Sequence, residues 1–173
     1  MSSPLSELID PWRAVEAGAE YAGSLPLARM PRLRESLREA NGEAVYRLAF
    51  LRDLEGRGVL AGEIDALLVL TCQRCLGAME LEVKASIDLA LVSGLDECRL
   101  LPEDHDPLLV SQESIRLPDL IEDELLLALP QIPMHEPGEC ASDEGLAAAN
   151  DAPEDSGRMH PFAILGALQR KGG

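Results

Sequence analysis

The chain has 173 residues, 46% of them hydrophobic and only 3% aromatic, enough apolar mass for one domain with a core of Leu, Val, Ile and Ala, but too few stacking platforms for a reader of single-stranded nucleic acid. Its formal charge of -16 is unevenly placed: residues 96 to 157 carry 17 Asp+Glu against 2 Lys+Arg, residues 1 to 95 carry 14 against 10, and residues 158 to 173 carry 3 cations and no acid. Such a block repels phosphate backbones and attracts basic proteins; its plainer reading is a solubilising surface.

In chain order, a short N-terminal stretch with Asp10-Pro11 comes first, and Glu20 to Leu27 reads as extended. Pro31 opens a helix to about Ala40, ended by Asn41-Gly42, the expected start and stop signals. Arg29, Arg32, Arg34 and Arg38 make this the most basic spot of the chain. It is either a solvated helix face or a contact for RNA or an acidic partner. Three strands follow, Val45 to Phe50, Val59 to Thr71 and Met79 to Val92. The third is the clearest, because Met79, Leu81, Val83, Ala85, Ile87, Leu89 and Leu91 alternate with Glu80, Glu82, Lys84, Ser86 and Asp88, the period of a sheet with one wet face. Cys72-Gln73-Arg74-Cys75-Leu76-Gly77 joins the second strand to the third, which puts the Cys pair at a hairpin tip.

Residues 93 to 107 read as a polar loop, and Leu108 to Val110 as a short edge strand. A helix begins at Pro118: Leu120, Ile121, Leu125 and Ala128 recur at helical spacing, Asp119, Glu122, Asp123 and Glu124 crowd the end where the dipole favours anions, and Pro130 stops it. Pro133, Pro137 and Gly138 keep Gln131 to Cys140 extended and turn-rich. The expected organisation is an α+β domain over residues 1 to 140, an acidic flexible linker over 141 to 157, and a C-terminal amphipathic helix with a basic end over 158 to 173. The sheet should be antiparallel and curled, barrel-like, with two or three helices.

The absence of a run of about 18 apolar residues, and of basic and apolar signal-peptide regions between Met1 and Trp12, points to a cytoplasmic protein with no membrane partner. Four Cys in that setting are reduced thiols or metal ligands. Two Cys separated by two residues can bind one zinc ion from a single turn, and His135 and Cys140, on a proline-broken segment, supply two more ligands of the right type. Cys72, Cys75, His135 and Cys140 would then form a closed structural zinc knuckle, with Gly77 letting the backbone turn under the sulfurs. The plainer reading makes the Cys pair small hydrophobes at a strand end and His135 a loop residue. Cys98, His105 and His160 have no comparable pairing. Thioredoxin-type redox chemistry would need the Cys pair at the start of a helix, whereas here a strand follows. No nucleophile elbow, phosphate loop, dinucleotide-binding glycine pattern or paired His on a helix occurs, so no catalytic residue is assigned.

Cys72-Gln73-Arg74-Cys75, the run from Glu122 to Pro130, Pro133-Met134-His135, Cys140, and Pro161-Phe162-Ala163-Ile164-Leu165 near the end together resemble the YceD family of bacteria, the large ribosomal RNA subunit accumulation proteins. Asp10-Pro11 and Arg13 fit the same pattern. The chain departs from it at His160, where Asn commonly precedes Pro-Phe. The resemblance implies a part in accumulation of large-subunit ribosomal RNA and in ribosome assembly, with no established enzymatic reaction. The expectation is a non-enzymatic factor whose partner is a basic ribosomal protein or a large-subunit precursor. The acidic segment 96 to 157 and the tail (Phe162, Leu165, Arg170, Lys171) would form its contacts, and direct RNA contact through Arg29 to Arg38 is left open. A zinc- or thiol-dependent enzyme acting on RNA or nascent subunits, and an adaptor whose Cys never meet metal, are the rival readings.

Overall fold

Alternating apolar and polar residues in three successive segments build the centre of a five-stranded sheet. The computed structural model describes residues 8–102, 105–110 and 114–140. The expected linker 141–157 and tail 158–173, with His160, Phe162, Leu165, Arg170 and Lys171, lie outside them. Strand β1 (Glu20–Pro26) pairs antiparallel with β2 (Glu43–Arg52), β2 with β3 (Gly58–Thr71), and β3 with β4 (Ala78–Val92). Strand β5 (Asp106–Leu109) then lies parallel to β4. The sheet order β1-β2-β3-β4-β5 leaves β1 and β5 as edges, so the sheet is open and does not close into a barrel. A parallel neighbour demands a crossover rather than a tight turn. That crossover takes up the stretch expected to be one polar loop, which also holds a short helix, α3 (Leu95–Cys98).

Along β2, Ala44, Tyr46, Leu48 and Phe50 are buried while Glu43, Val45 and Arg47 are exposed. On β3 and β4 the inner positions include Leu60, Ile64, Leu68, Val83 and Ile87. Gly62 of β3 packs tightly against β2, opposite Leu48. A Cβ there would lie 2.1 Å from the Arg47 carbonyl oxygen and 2.9 Å from Leu48 Cα, so only glycine keeps this register.

Helices α1, α2 and α4 pack on the inner face. Helix α1 (Pro11–Ala17) begins where the Asp10 carboxylate accepts from the N–H groups of Trp12 and Arg13, with Pro11 at its first turn. Helix α2 (Pro31–Ser36) stops four residues before the expected end. The physical reason is the sheet: Arg38 N–H donates to the Val69 carbonyl at 2.8 Å and Glu39 bridges Val69, which pulls the chain into extended form. Helix α4 (Leu117–Ala128) inserts Leu117, Leu120, Ile121 and Leu125 into the core. Among the described residues no helix is long and apolar enough to cross a membrane.

Glu122 of α4 is 3% exposed and needs partners at that depth. It accepts from the backbone N–H groups of Arg32 (2.7 Å) and Leu33 (3.0 Å), and from Arg32 Nε (3.2 Å) and Nη2 (3.1 Å). Met30, at the N-cap of α2, provides no side-chain cap; a carboxylate 90 positions away does so instead. Arg32 also pairs with Asp123 and donates to the Asp119 carbonyl.

Candidate metal centre

The β3–β4 hairpin ends in a turn whose geometry is set by its own backbone. Cys72 N–H donates to the Gly77 carbonyl at 3.0 Å and Leu76 N–H to the Cys72 carbonyl at 2.9 Å. The left-handed residue of the turn is Leu76, at φ 58°, rather than Gly77. Glycine at 77 leaves room for the sulfur beside it: a Cβ would lie 3.3 Å from Cys75 Sγ, tight enough that the side chain would have to shift. Segment 131–140 docks against this turn through Gln73 N–H to the Pro133 carbonyl at 2.8 Å. Arg38 holds the opposite side, donating to the Leu76 carbonyl at 2.7 Å.

The docking brings Cys72, Cys75, His135 and Cys140 together, with their four ligand atoms within 4.8 Å of one another. Cys72 Sγ lies 3.8 Å from Cys140 Sγ, and His135 Nδ1 lies 3.4 Å from Cys75 Sγ and 3.7 Å from Cys140 Sγ. A disulfide would need about 2.05 Å between sulfurs, and all four Cys of the chain are free. Zinc bonds of about 2.3 Å to sulfur and 2.0–2.1 Å to nitrogen give tetrahedral edges of about 3.8 Å between sulfurs and about 3.6 Å between sulfur and nitrogen. The three separations given match such edges, and all four ligand atoms lie close enough together to surround one ion. The His135 tautomer agrees, since Nε2–H donates to the Ala78 carbonyl at 2.9 Å and leaves the Nδ1 lone pair facing the sulfurs.

The electrostatics favour bound thiolate at Cys72. Burial opposes ionisation of this fully buried thiol, yet the N–H groups of Cys75, His135 and Arg74 outweigh it and bring its pKa down from 9.0 to about 5. At Cys140 burial prevails and the pKa is raised, against the pull of Arg74. Three thiolates and a neutral imidazole around a divalent cation would carry one net negative charge, and Arg74 would face it. Its Nε donates to Cys140 Sγ at 3.0 Å, and its Nη2 to the carbonyls of His135 (3.3 Å) and Glu136 (3.2 Å). Arg74 lies inside the CxxC pair, yet its role becomes visible only once the fold supplies Cys140.

Other residues singled out in the sequence lie elsewhere. Cys98 sits in α3 and faces the Gly94 carbonyl, and His105 Nδ1 is 3.3 Å from Asp88. Within the basic segment, Arg32 is engaged by α4 and Arg38 by the β3–β4 turn, while Arg29 and Arg34 are exposed.

Residues 60–169 match the family described as Large ribosomal RNA subunit accumulation protein YceD, a span that includes all four clustered residues. The chain is also 28% identical over 165 residues to the Large ribosomal RNA subunit accumulation protein YceD of Haemophilus influenzae, which covers 94% of this chain and 95% of that protein. No solved structure matches the chain. With the family match spanning more than half of its length, and the relative aligned almost end to end, the chain belongs to the YceD family.

Proposed function

We propose that this protein is a non-enzymatic factor for accumulation of large-subunit (23S) ribosomal RNA, and thereby for ribosome assembly, acting through protein contacts. The observation that carries the reading is family membership over residues 60–169, with a relative of that printed function aligned along 94% of the chain. The test is depletion of the protein in its source organism, with the ratio of large- to small-subunit ribosomal RNA as readout. A fall in that ratio, restored by the parent gene, is expected; an unchanged ratio overturns the reading.

Zinc is the proposed occupant of the Cys72, Cys75, His135 and Cys140 cluster, with a structural role. Cys3His donors suit zinc, and four protein ligands leave no position for a water nucleophile. The ion would tie segment 131–140 to the hairpin tip. The rival enzyme reading requires an open metal position or an accessible low-pKa thiol, whereas Cys72, whose pKa is low, is 0% exposed. Slow alkylation of Cys72 in the native metal-free protein is expected; rapid alkylation near pH 6 would favour chemistry.

A further inference from the structure

Helices α1, α2 and α4 pack on one face of the sheet, while α3 and the residues after it lie near the Val92 end of the other, so much of that second face stays open. On the outer face, position 45 of β2 opposes 65 of β3, which opposes 84 of β4; in the next row 47 opposes 63, which opposes 86. Exposed carboxylates occupy this surface at Glu43, Glu63, Asp65, Glu80 and Glu82, against two cations, Arg47 and Lys84. None of these five acids has a hydrogen bond or ion pair among the described residues. They differ in this from the acids of α4, where Glu122, Asp123 and Asp119 are engaged by Arg32 and Arg116.

Two apolar side chains lie among these charges. Val45 is 47% exposed and Leu67 is 49% exposed, although the wet face of a strand has no folding reason to hold either. Together with Glu43, Asp65, Glu82 and Lys84 they line a shallow groove of about 270 Å³. Farther along the same face Val59, Ala90 and Val92 are buried, so the groove is the open part of a surface that is otherwise covered at that end. An apolar centre with a charged rim is the anatomy of a recognition surface, and the sign of the rim selects the partner. Phosphate backbones are repelled; Lys- or Arg-rich polypeptide is attracted.

We propose that this outer face of β2, β3 and β4 docks a basic protein segment, with an apolar side chain of the partner seated between Val45 and Leu67 and its Lys or Arg residues on Glu43, Glu63, Asp65 and Glu82. That the partner is a basic protein of the large ribosomal subunit rests on the reading given under Proposed function. The site lies on regular strands, so it is present before the partner arrives and loses little ordering entropy on binding.

The experiment measures binding of individually purified large-subunit ribosomal proteins, and of protein-free large-subunit ribosomal RNA, to the full chain at physiological salt. Glu63→Lys with Asp65→Lys reverses the groove rim. Glu16→Lys with Glu35→Lys makes the same change in net charge at exposed positions on α1 and α2. Thermal denaturation verifies that both variants fold. At least one ribosomal protein is expected to bind the parent, at least tenfold more weakly the groove variant, and within about twofold of the parent the control. Leu67→Ser should weaken the same complex severalfold. The inference is overturned if no ribosomal protein binds, if both charge variants weaken binding equally, or if the RNA alone binds. The depletion phenotype separates the two claims. An unchanged RNA ratio counts against the function and leaves this surface to be decided by the binding data, whereas full complementation and unchanged binding by the groove variant defeat the surface and leave the function standing.

Discussion

Glu122 on α4 caps helix α2 from 90 positions away, accepting from the Arg32 and Leu33 N–H groups at 2.7 and 3.0 Å while Arg32 folds its guanidinium over the same carboxylate. A six-residue helix has little stability of its own, so α2 holds its place through this pairing and through fully buried Leu33. Glu122→Ala leaves two N–H donors unsatisfied and should cost about 3 kcal/mol, measured by urea denaturation. Asp123→Ala, which breaks the exposed half of the same Arg32 network, should cost less than about 1 kcal/mol. Equal losses would mean that the buried carboxylate is no anchor.

Gly62 tests the strand register. Gly62→Ala places a methyl 2.1 Å from the Arg47 carbonyl oxygen, so β2 and β3 must separate. A loss of about 3 kcal/mol or failure to fold is expected. Gly94→Ala, which meets nothing within 4 Å, should change stability by less than about 0.5 kcal/mol. Thermal melts of the pair suffice.

Arg74 should matter to metal retention more than to folding. Arg74→Ala removes the donor to Cys140 Sγ and to the two carbonyls that hold segment 135–136 in place. Affinity for the metal should fall about 10- to 100-fold, as for other partners that orient ligands, read by competition with a zinc-binding dye. Arg74→Lys keeps the charge but loses the planar fork and should recover only part of the affinity.

In the metal-free protein the Cys72 thiol is depressed to about 5 by three N–H donors that outweigh its burial. A depressed folded-state pKa contributes stability that is present above the unfolded value of 9.0 and is lost as pH falls toward about 5. Cys140 has the opposite sign: burial raises its pKa, so its contribution is complete below 9.0 and is lost at higher pH. The metal-free protein should therefore gain stability from about pH 5 toward pH 9 on account of Cys72, and Cys72→Ser should flatten that rise. Thiolate absorbance near 240 nm should show a step near pH 5 in the parent that is absent from Cys72→Ser.

Sequence pattern alone reaches β2, β3 and β4 to within one or two residues, because period-two alternation is a local property of the chain. The four clustered residues are equally legible: the CxxC pair marks itself, and His135 and Cys140 stand on a segment that Pro133 and Pro137 keep from being helical. What lies beyond the sequence is what distant segments decide. The end of α2 depends on Arg38 meeting Val69, and the parallel placement of β5 on a crossover. Glu122 has its role because α2 arrives beside it, not because of its neighbours along the chain. Helix α1 had a local signal in Asp10 and Pro11, but seven residues carry too little periodicity to announce a helix. The left-handed turn residue, Leu76, was hidden by the glycine beside it, whose small size serves the sulfur of Cys75 instead.

The central structural claim is that Cys72, Cys75, His135 and Cys140 hold one ion that ties segment 131–140 to the hairpin. Metal content of the full chain purified without chelator, combined with X-ray absorption at the zinc edge, tests it most directly. One zinc per chain with three sulfur and one nitrogen neighbours is expected, retained in Cys98→Ser and lost in Cys72→Ser and Cys140→Ser together with thermal stability. A metal-free parent that melts at the same temperature as those two variants would contradict it.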